Sequence, residues 1–437
     1  MNLKRIAVRP SLALRRWVGR RLLANSGGRG PGLSGLSVVP AKLTMPLRRD
    51  GLDPVAPLAR LRETEPVSKL SRILGMNVWL VSGYDEARTV LNDTVSYSND
   101  IRYLLGQDAE DSIGGLGFTD PPDHTRLRRL LTPEFTGRRL AGLQPSIEKI
   151  VEDQLDALAI GDPTVDFVSE FAFPIPFLVI CELLGLPVED RDRFRQLGHA
   201  RFDVTGGGPG TFGAMSDSRE FLLEAVRLQR TAPGPGLIGA LIREHGDEIT
   251  DIELAGLADG VFTGGYETSA SMLALGTLAL LRDPDTFRMV GSDNDSIDAI
   301  VNELLRYLTV VQISFPRFAR ADLELFGKNV KAGDVVVCSL SSANRDGALG
   351  PAPELIDPQR AGRSHLAFGH GIHRCIGSEL ARMELRVAFR GLAHRFPELR
   401  LAVEPSALQF HDLSIVYGLK SLPVRLTLVD SATGAAS

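Results

Sequence analysis

Phe368-Gly369-His370-Gly371-Ile372-His373-Arg374-Cys375-Ile376-Gly377 decides how the rest of this chain is read. Glycines at 369, 371 and 377 allow tight turns and a close approach of backbone to a flat ligand, where a Cβ would be in the way. The next residues, Ser378 to Phe389, have helical composition, so Cys375 falls just ahead of a helix N-terminus. Free amide N–H groups and partial positive charge there lower a thiol pKa and temper donation from sulfur, the setting a thiolate ligand needs. An inert buried thiol is the plain alternative, and it suits the other two cysteines, Cys181 and Cys338. A zinc site built from His370, His373 and Cys375 lacks a fourth ligand at normal spacing.

The whole chain, 437 residues with 43% hydrophobic content, can bury a large interior as one large domain or two ordinary ones. A net charge of −5 gives no general attraction for nucleic acid or anionic membrane. Three widely spaced cysteines without a C-x-x-C pair point to a reducing, cytoplasmic setting and exclude a disulfide framework. No run of 18 apolar residues reads as a membrane span, and Arg15 with Arg16 divides what would be a signal core. Charge is unevenly spread: eleven of the 49 basic residues precede Asp50, the first acid, which leaves the remainder distinctly acidic. Residues 1–44 are therefore read as a basic, flexible extension and 45–437 as the folded body, joined through the Gly/Ser/Pro-rich stretch 26–40. Ser11 to Leu23 can form a basic amphipathic helix, giving residues 1–25 weak contact with a membrane surface. An unstructured tail, or a start at Met45, is the simpler account.

Within the body, Thr250 to Arg282 is the strongest helix. Thr250 and Glu253 form a capping box, apolar residues recur at Leu254, Leu257, Val261, Met272 and Leu275, and Pro284 supplies the stop. Some 33 residues at about 1.5 Å each give roughly 50 Å, a central axis. Val78–Val81 and Asp334–Leu340 are the strand candidates. A lone G-x-G-x-x-G at Gly208, Gly210 and Gly213 contains Pro209, has no strand before it, and reads as a loop.

Three further constellations carry chemistry. Gly264-Gly265-Tyr266-Glu267-Thr268 interrupts the long helix; two glycines cost roughly 1 kcal/mol each relative to Ala, so they serve close approach or a bulge, and an acid followed by an alcohol can relay protons. In Glu303-Leu-Leu-Arg306, carboxylate and guanidinium share a helix face. In Asp120-Pro-Pro-Asp-His-Thr-Arg-Leu-Arg128, His124 and Arg128 lie four apart and can clamp an anion.

At these residues the chain resembles the cytochrome P-450 family, whose F-G-x-G-x-H-x-C-x-G pattern is matched at every fixed position. The ordered set spans residues 120 to 377, with looser resemblance from about Leu47 to Leu428. The resemblance implies a mainly α fold with small β-sheets, a triangular helical body around heme b (iron protoporphyrin IX). It makes Cys375 the axial iron ligand, with Phe368, Gly369 and Gly377 shaping its loop. His124, Arg128, Arg317 and His373 would meet the haem propionates, Glu267 and Thr268 would form the proton relay, and Glu303 with Arg306 the bracing network. One departure stands out: the family closes that network with Arg or His where this chain has Leu355, leaving Arg360 or His370 as candidates.

The implied activity is insertion of one oxygen atom from O2 into a lipophilic small molecule by a monomeric enzyme. Electrons would come from a separate ferredoxin and ferredoxin reductase, since no flavin or nicotinamide domain fits in this length. Arg374, with Arg382 or Arg386, is the expected docking charge for an acidic ferredoxin. The loop before His124 and the residues Val261, Phe262, Tyr266, Ile313, Phe315 and Ile415–Tyr417, Val416 among them, are expected to line an apolar substrate pocket. A non-catalytic haem sensor or carrier has no need of the acid and alcohol pair. A peroxide-driven oxygenase generally lacks it.

Overall fold

The 31-residue helix at the centre of the molecule begins where its capping box predicts. The computed structural model describes residues 41–73, 75–100, 116–202, 217–292 and 296–427. The amphipathic head, the linker and the Gly208–Gly213 stretch lie outside them. The described body includes Ala41–Thr44, which is helical with Thr44 buried. Arg49, one of the eleven basic residues ahead of Asp50, is anchored in this body, since its guanidinium donates to Gln312 Oε1 at 2.9 Å and to the Thr309 carbonyl at 2.7 Å.

Along the chain run α1 (Ala56–Thr64), α2 (Tyr84–Asn92), α3 (Asp123–Leu131), α4 (Gly137–Ile160), α5 (Pro174–Leu184) and α6 (Val188–Phe202). They are followed by α7 (Asp217–Thr231), α8 (Gly236–His245), the central α9 (Asp251–Leu281), α10 (Pro284–Ser292), α11 (Ile297–Leu308) and α12 (Ser378–Arg395). Thr250 Oγ1 accepts from Glu253 N–H, and Glu253 Oε2 accepts from Thr250 N–H, closing the predicted box. α9 is apolar around most of its circumference, the pattern of a largely buried helix, and it packs against α5, α7, α11 and α12. No bulge interrupts it at Gly264-Gly265; that half of the expectation fails.

One mixed sheet holds β1 (Val67–Ile73), β2 (Met76–Val81), β3 (Tyr97–Ser98), β4 (Arg317–Ala319) and β5 (Val335–Cys338) in the order β1-β2-β5-β4-β3. β5 is shorter than the predicted Asp334–Leu340 because polar side chains stop it at both ends. Asp334 accepts from Lys331 N–H and Asn77 N–H, and Ser339 caps the short helix Leu340–Ala343 by accepting from Ser342 N–H. β5 runs parallel to β2 and antiparallel to β4, so Arg317 at the start of β4 is held from the sheet while Cys375 is held from α12. No helix of the described residues is long and apolar enough to cross a membrane.

Candidate active site

The loop ahead of α12 has the backbone its glycines foretell. Gly369 and Gly371 sit at φ +70° and +72°, left-handed conformations that other residues adopt only with strain. At Gly371 a Cβ would also stand 2.6 Å from the Leu91 carbonyl oxygen at the end of α2. Gly377 is different: its φ is ordinary, and only the edge of Phe135, 3.9 Å away, would meet a Cβ, leaving open space beside the thiol. Cys375 N–H donates to the Phe368 carbonyl at 2.8 Å, which closes the loop.

Cys375 alone of the three cysteines is exposed, yet its surroundings are those of a buried group. Both statements hold for a thiol that faces an interior cleft. Burial pushes its pKa up, and the Gly377 N–H with Arg128, Arg374 and Arg382 only partly reverses this. The expected net depression is thus corrected: desolvation outweighs the helix terminus and the arginines together. Cys181 and Cys338 are the inert thiols expected of them, each pushed up to about 12 by burial.

Three segments distant in sequence converge on a basic cluster. His124 and His373 stand with ring centroids 4.3 Å apart, and Arg317 is 3% exposed. Among the described residues, both ring nitrogens of His124, Nδ1 of His373 and Nη1 of Arg317 are buried without a hydrogen-bond partner. His373 is held down to about 3 by burial and by Arg317, His124 and Arg128; His124 is lowered by burial and Arg128. Half-buried Arg128 is close enough for the Cys375 thiolate to bear on it electrostatically. Native structures rarely leave buried donors unpaired, and a cluster of them around an arginine calls for an anion. The two carboxylates of a porphyrin, next to an accessible thiol and the room beside Gly377, meet that requirement, so these residues fit a haem. Replacing Arg317 by Leu is expected to weaken haem retention roughly 10- to 100-fold, the worth of one charge-assisted contact. The rate of haem loss to an excess of acceptor globin measures it.

The bracing network is complete, and Leu355 explains its own oddity. Arg306 grips Glu303 with two donors, Nη2 to Oε1 at 2.7 Å and Nε to Oε2 at 2.8 Å, and also donates to the carbonyls of Asn344, Pro353 and Leu355. Arg360 Nε reaches Glu303 Oε1 at 3.0 Å, and Asp357 N–H reaches it at 2.9 Å. Arg360 is therefore the third partner, and His370 is not. Leu355 contributes only its carbonyl, so its side chain can stay 62% exposed.

On α9, residues at 100° steps separate two faces. Gly264 is exposed in mid-helix with nothing within 4 Å of a would-be Cβ, and Gly260 and Thr268 share its face, flanked by Val261 and Glu267. Gly265 serves close packing, since a Cβ there would meet Ile180 Cδ1 of α5 at 3.0 Å. Thr268 Oγ1 donates to the Gly264 carbonyl at 2.7 Å, and burial raises the Glu267 carboxyl to about 7. Next to the pair, Ser269 hydrogen-bonds Glu384 on α12, a carboxyl that burial raises to about 8 and that the sequence reading passed over.

Phe262 and Tyr266 point away from that face, and their expected place in the pocket is corrected. Phe262 stacks with Tyr266 at 5.4 Å and packs on Phe194 at 4.4 Å, and Tyr266 meets Phe173 and Phe177 edge-on, which seals both rings against α5 and α6. Tyr417 likewise turns inward, its hydroxyl donating to the Gly51 carbonyl. Of the other expected pocket residues, Ile313 bridges to Ser339, Val416 bridges to Val311 in the same 310–313 segment, and Phe315 is 49% exposed. Phe118, in the loop before His124 expected at the pocket, meets Phe315 edge-on at 4.6 Å, while Leu116 hydrogen-bonds the His373 ring through its backbone. Only the spacing to His124 could have flagged either residue.

A cytochrome P450 family model matches residues 235–405. Cytochrome P450 165B3 of Amycolatopsis orientalis is 39% identical over 390 residues, 86% of this chain and 97% of that protein. The vitamin D3 dihydroxylase of Streptomyces griseolus is 35% identical over 378 residues, 84% of this chain and 92% of that protein. Among solved structures, the P450 StaH from glycopeptide antibiotic A47934 biosynthesis aligns with a TM-score of 0.79 at 39% identity, covering 87% of this chain and 99% of that one. The chain belongs to the cytochrome P450 family. It is a P450 monooxygenase with a haem-thiolate cofactor, on the mainly helical fold with small sheets that the family shares.

Proposed function

We propose that this P450 oxygenates a bulky lipophilic natural product, with Cys375 as the iron ligand and electrons delivered by a separate ferredoxin and its reductase. The observation that carries the site assignment is one accessible thiol beside a buried basic cluster in which both His124 ring nitrogens, His373 Nδ1 and Arg317 Nη1 have no partner among the described residues. Haem, when bound, supplies the redox-active iron and the activation of O2 that no side chain can provide. His124, Arg128, Arg317 and His373 would hold its propionates. Phe368, Gly369 and Gly377 would let it lie against the loop.

The protein's own part in the chemistry is to move protons and exclude water. Thr268 spends its hydroxyl hydrogen on the Gly264 carbonyl, so its lone pairs remain free to accept a hydrogen bond. Glu267, raised by burial to about 7, holds its proton to higher pH than an ordinary carboxyl and suits a relay that must both give and regain it. As pH rises past 7 that reservoir empties, so coupling of electrons to product is expected to decline on the alkaline side. Val261, Ile313, Phe315, Val416 and Phe118 offer apolar and aromatic surface for the substrate. A relative named for vitamin D3 dihydroxylation supports a lipophilic substrate class, and one named for glycopeptide antibiotic biosynthesis supports a large one.

Replacing Thr268 by Ala tests the relay. Electron consumption is expected to continue while product falls at least about tenfold and peroxide accumulates, a loss typical of removing one proton-transfer group. Unchanged coupling would remove Thr268 from the relay. Product formed from added peroxide, at full rate and without any electron donor, would favour the peroxide-driven reading instead.

A further inference from the structure

Three arginines act on the Cys375 thiol, and their circumstances differ. Arg374 is exposed and has no ion-pair partner among the described residues. Arg128 is half-buried on α3. Arg382, on the second turn of α12, keeps only 19% of its side chain exposed. Its Nη1 donates to Glu379 Oε1 at 2.7 Å, and its guanidinium carbon lies 4.8 Å from the centroid of the Phe368 ring. Phe368 is the residue whose carbonyl receives the Cys375 N–H. A permanent cation is thus laid on the ring that begins the thiol loop.

The field at sulfur has a definite sign. The negative face of the ring holds the guanidinium, and the cation is largely out of water. Glu379, its ion partner, is 56% exposed, so solvent screens the carboxylate more than the guanidinium. Arg382 is correspondingly ill placed to greet another protein, because its charge is already engaged on both sides. Arg386 is engaged too, donating to Asp298 Oδ1 at 2.7 Å. Of the three arginines expected to dock a ferredoxin, only Arg374 presents an unengaged charge.

We infer that Arg382 is a positioning residue for the thiol ligand: its guanidinium, fixed over Phe368, draws electron density toward itself at the Cys375 sulfur and raises the reduction potential of the bound haem, while docking falls to Arg374. The inference rests on Cys375 being the iron ligand. A nearby cation stabilises both the thiolate and an added electron, and its influence is strongest where water is excluded. Haem-thiolate centres are tuned by such neighbours of the axial sulfur.

The test uses the haem-loaded protein and two readouts other than turnover, anaerobic potentiometry and the infrared stretch of the ferrous carbon monoxide complex. In Arg382→Gln the potential is expected to move negative and the carbon monoxide stretch to lower wavenumber, because sulfur donates more. Arg382→Lys, which keeps the charge, should stay near the parent, and Glu379→Gln should move the potential the other way. The KM for ferredoxin should rise in Arg374→Gln and hold in Arg382→Gln. An unchanged potential and stretch in Arg382→Gln, with the thiolate Soret band intact, overturns the inference; so does a raised ferredoxin KM there without a shift in potential. If Arg382→Gln fails to accumulate with haem, Glu379→Gln decides, and no shift in it is equally fatal. A parent protein lacking the thiolate band would strike at the Cys375 assignment instead.

Discussion

Glu303→Ala is expected to remove a large share of the protein's stability. The substitution strands Arg306, 2% exposed, with two of its donors unpaired in the interior. Breaking a buried pair by removing one partner costs about 3–5 kcal/mol, against a total stability of roughly 5–15 kcal/mol. Denaturant unfolding followed by circular dichroism, or soluble yield if the variant is too unstable to purify, reads the loss. Arg360→Ala should cost less, since Arg306 still satisfies the carboxylate. Leu355→Ala should be within about 0.5 kcal/mol of the parent, because that residue enters the network through its carbonyl alone. A severe Leu355→Ala and a mild Glu303→Ala together would mean that the network is misread. The same network sets an acid limit. Burial pushes Glu303 up, but Arg306, the Asp357 N–H and Arg360 outweigh it, so the folded carboxyl sits below its usual value. Its stabilisation is therefore full above about pH 4.5 and is lost as pH falls through the lower folded pKa.

Cys375→Ala is the second large effect. The reduced protein exposed to carbon monoxide should lose the strongly red-shifted Soret band of a thiolate ligand, and monooxygenase turnover should fall to background. Haem itself should remain partly bound, because His124, Arg128, Arg317 and His373 still offer donors to its carboxylates. That split, pigment kept but band lost, separates the role of the thiol from that of the basic cluster. Persistence of the band in the variant would transfer the ligand role elsewhere, and neither Cys181 nor Cys338 is placed for it, both being fully buried.

Local signals were legible wherever the chemistry is local. The capping box of α9, the turn-forming glycines at 369 and 371 and the pairing of Glu303 with Arg306 are each fixed by residues within a few positions of one another, and all appear as read. The failures are failures of direction. Phe262 and Tyr266 belong to an apolar stretch, and nothing in their spacing says that α5 and α6, more than 60 residues earlier, lie on their side of the helix. The thiol pKa went astray for the same reason: a helix terminus can be read from sequence, but the depth at which it is buried cannot.

The amino-acid sequence by itself determined the family, the loop that presents Cys375 and the order of the elements that surround it, because each depends on short stretches with fixed spacing. Only the tertiary structure decided that Arg360 completes the network in place of Leu355, that Arg382 is committed to Phe368 and Glu379, and which aromatic rings face the interior. Those outcomes turn on distances between segments far apart along the chain, where packing and desolvation, not spacing, choose the partner.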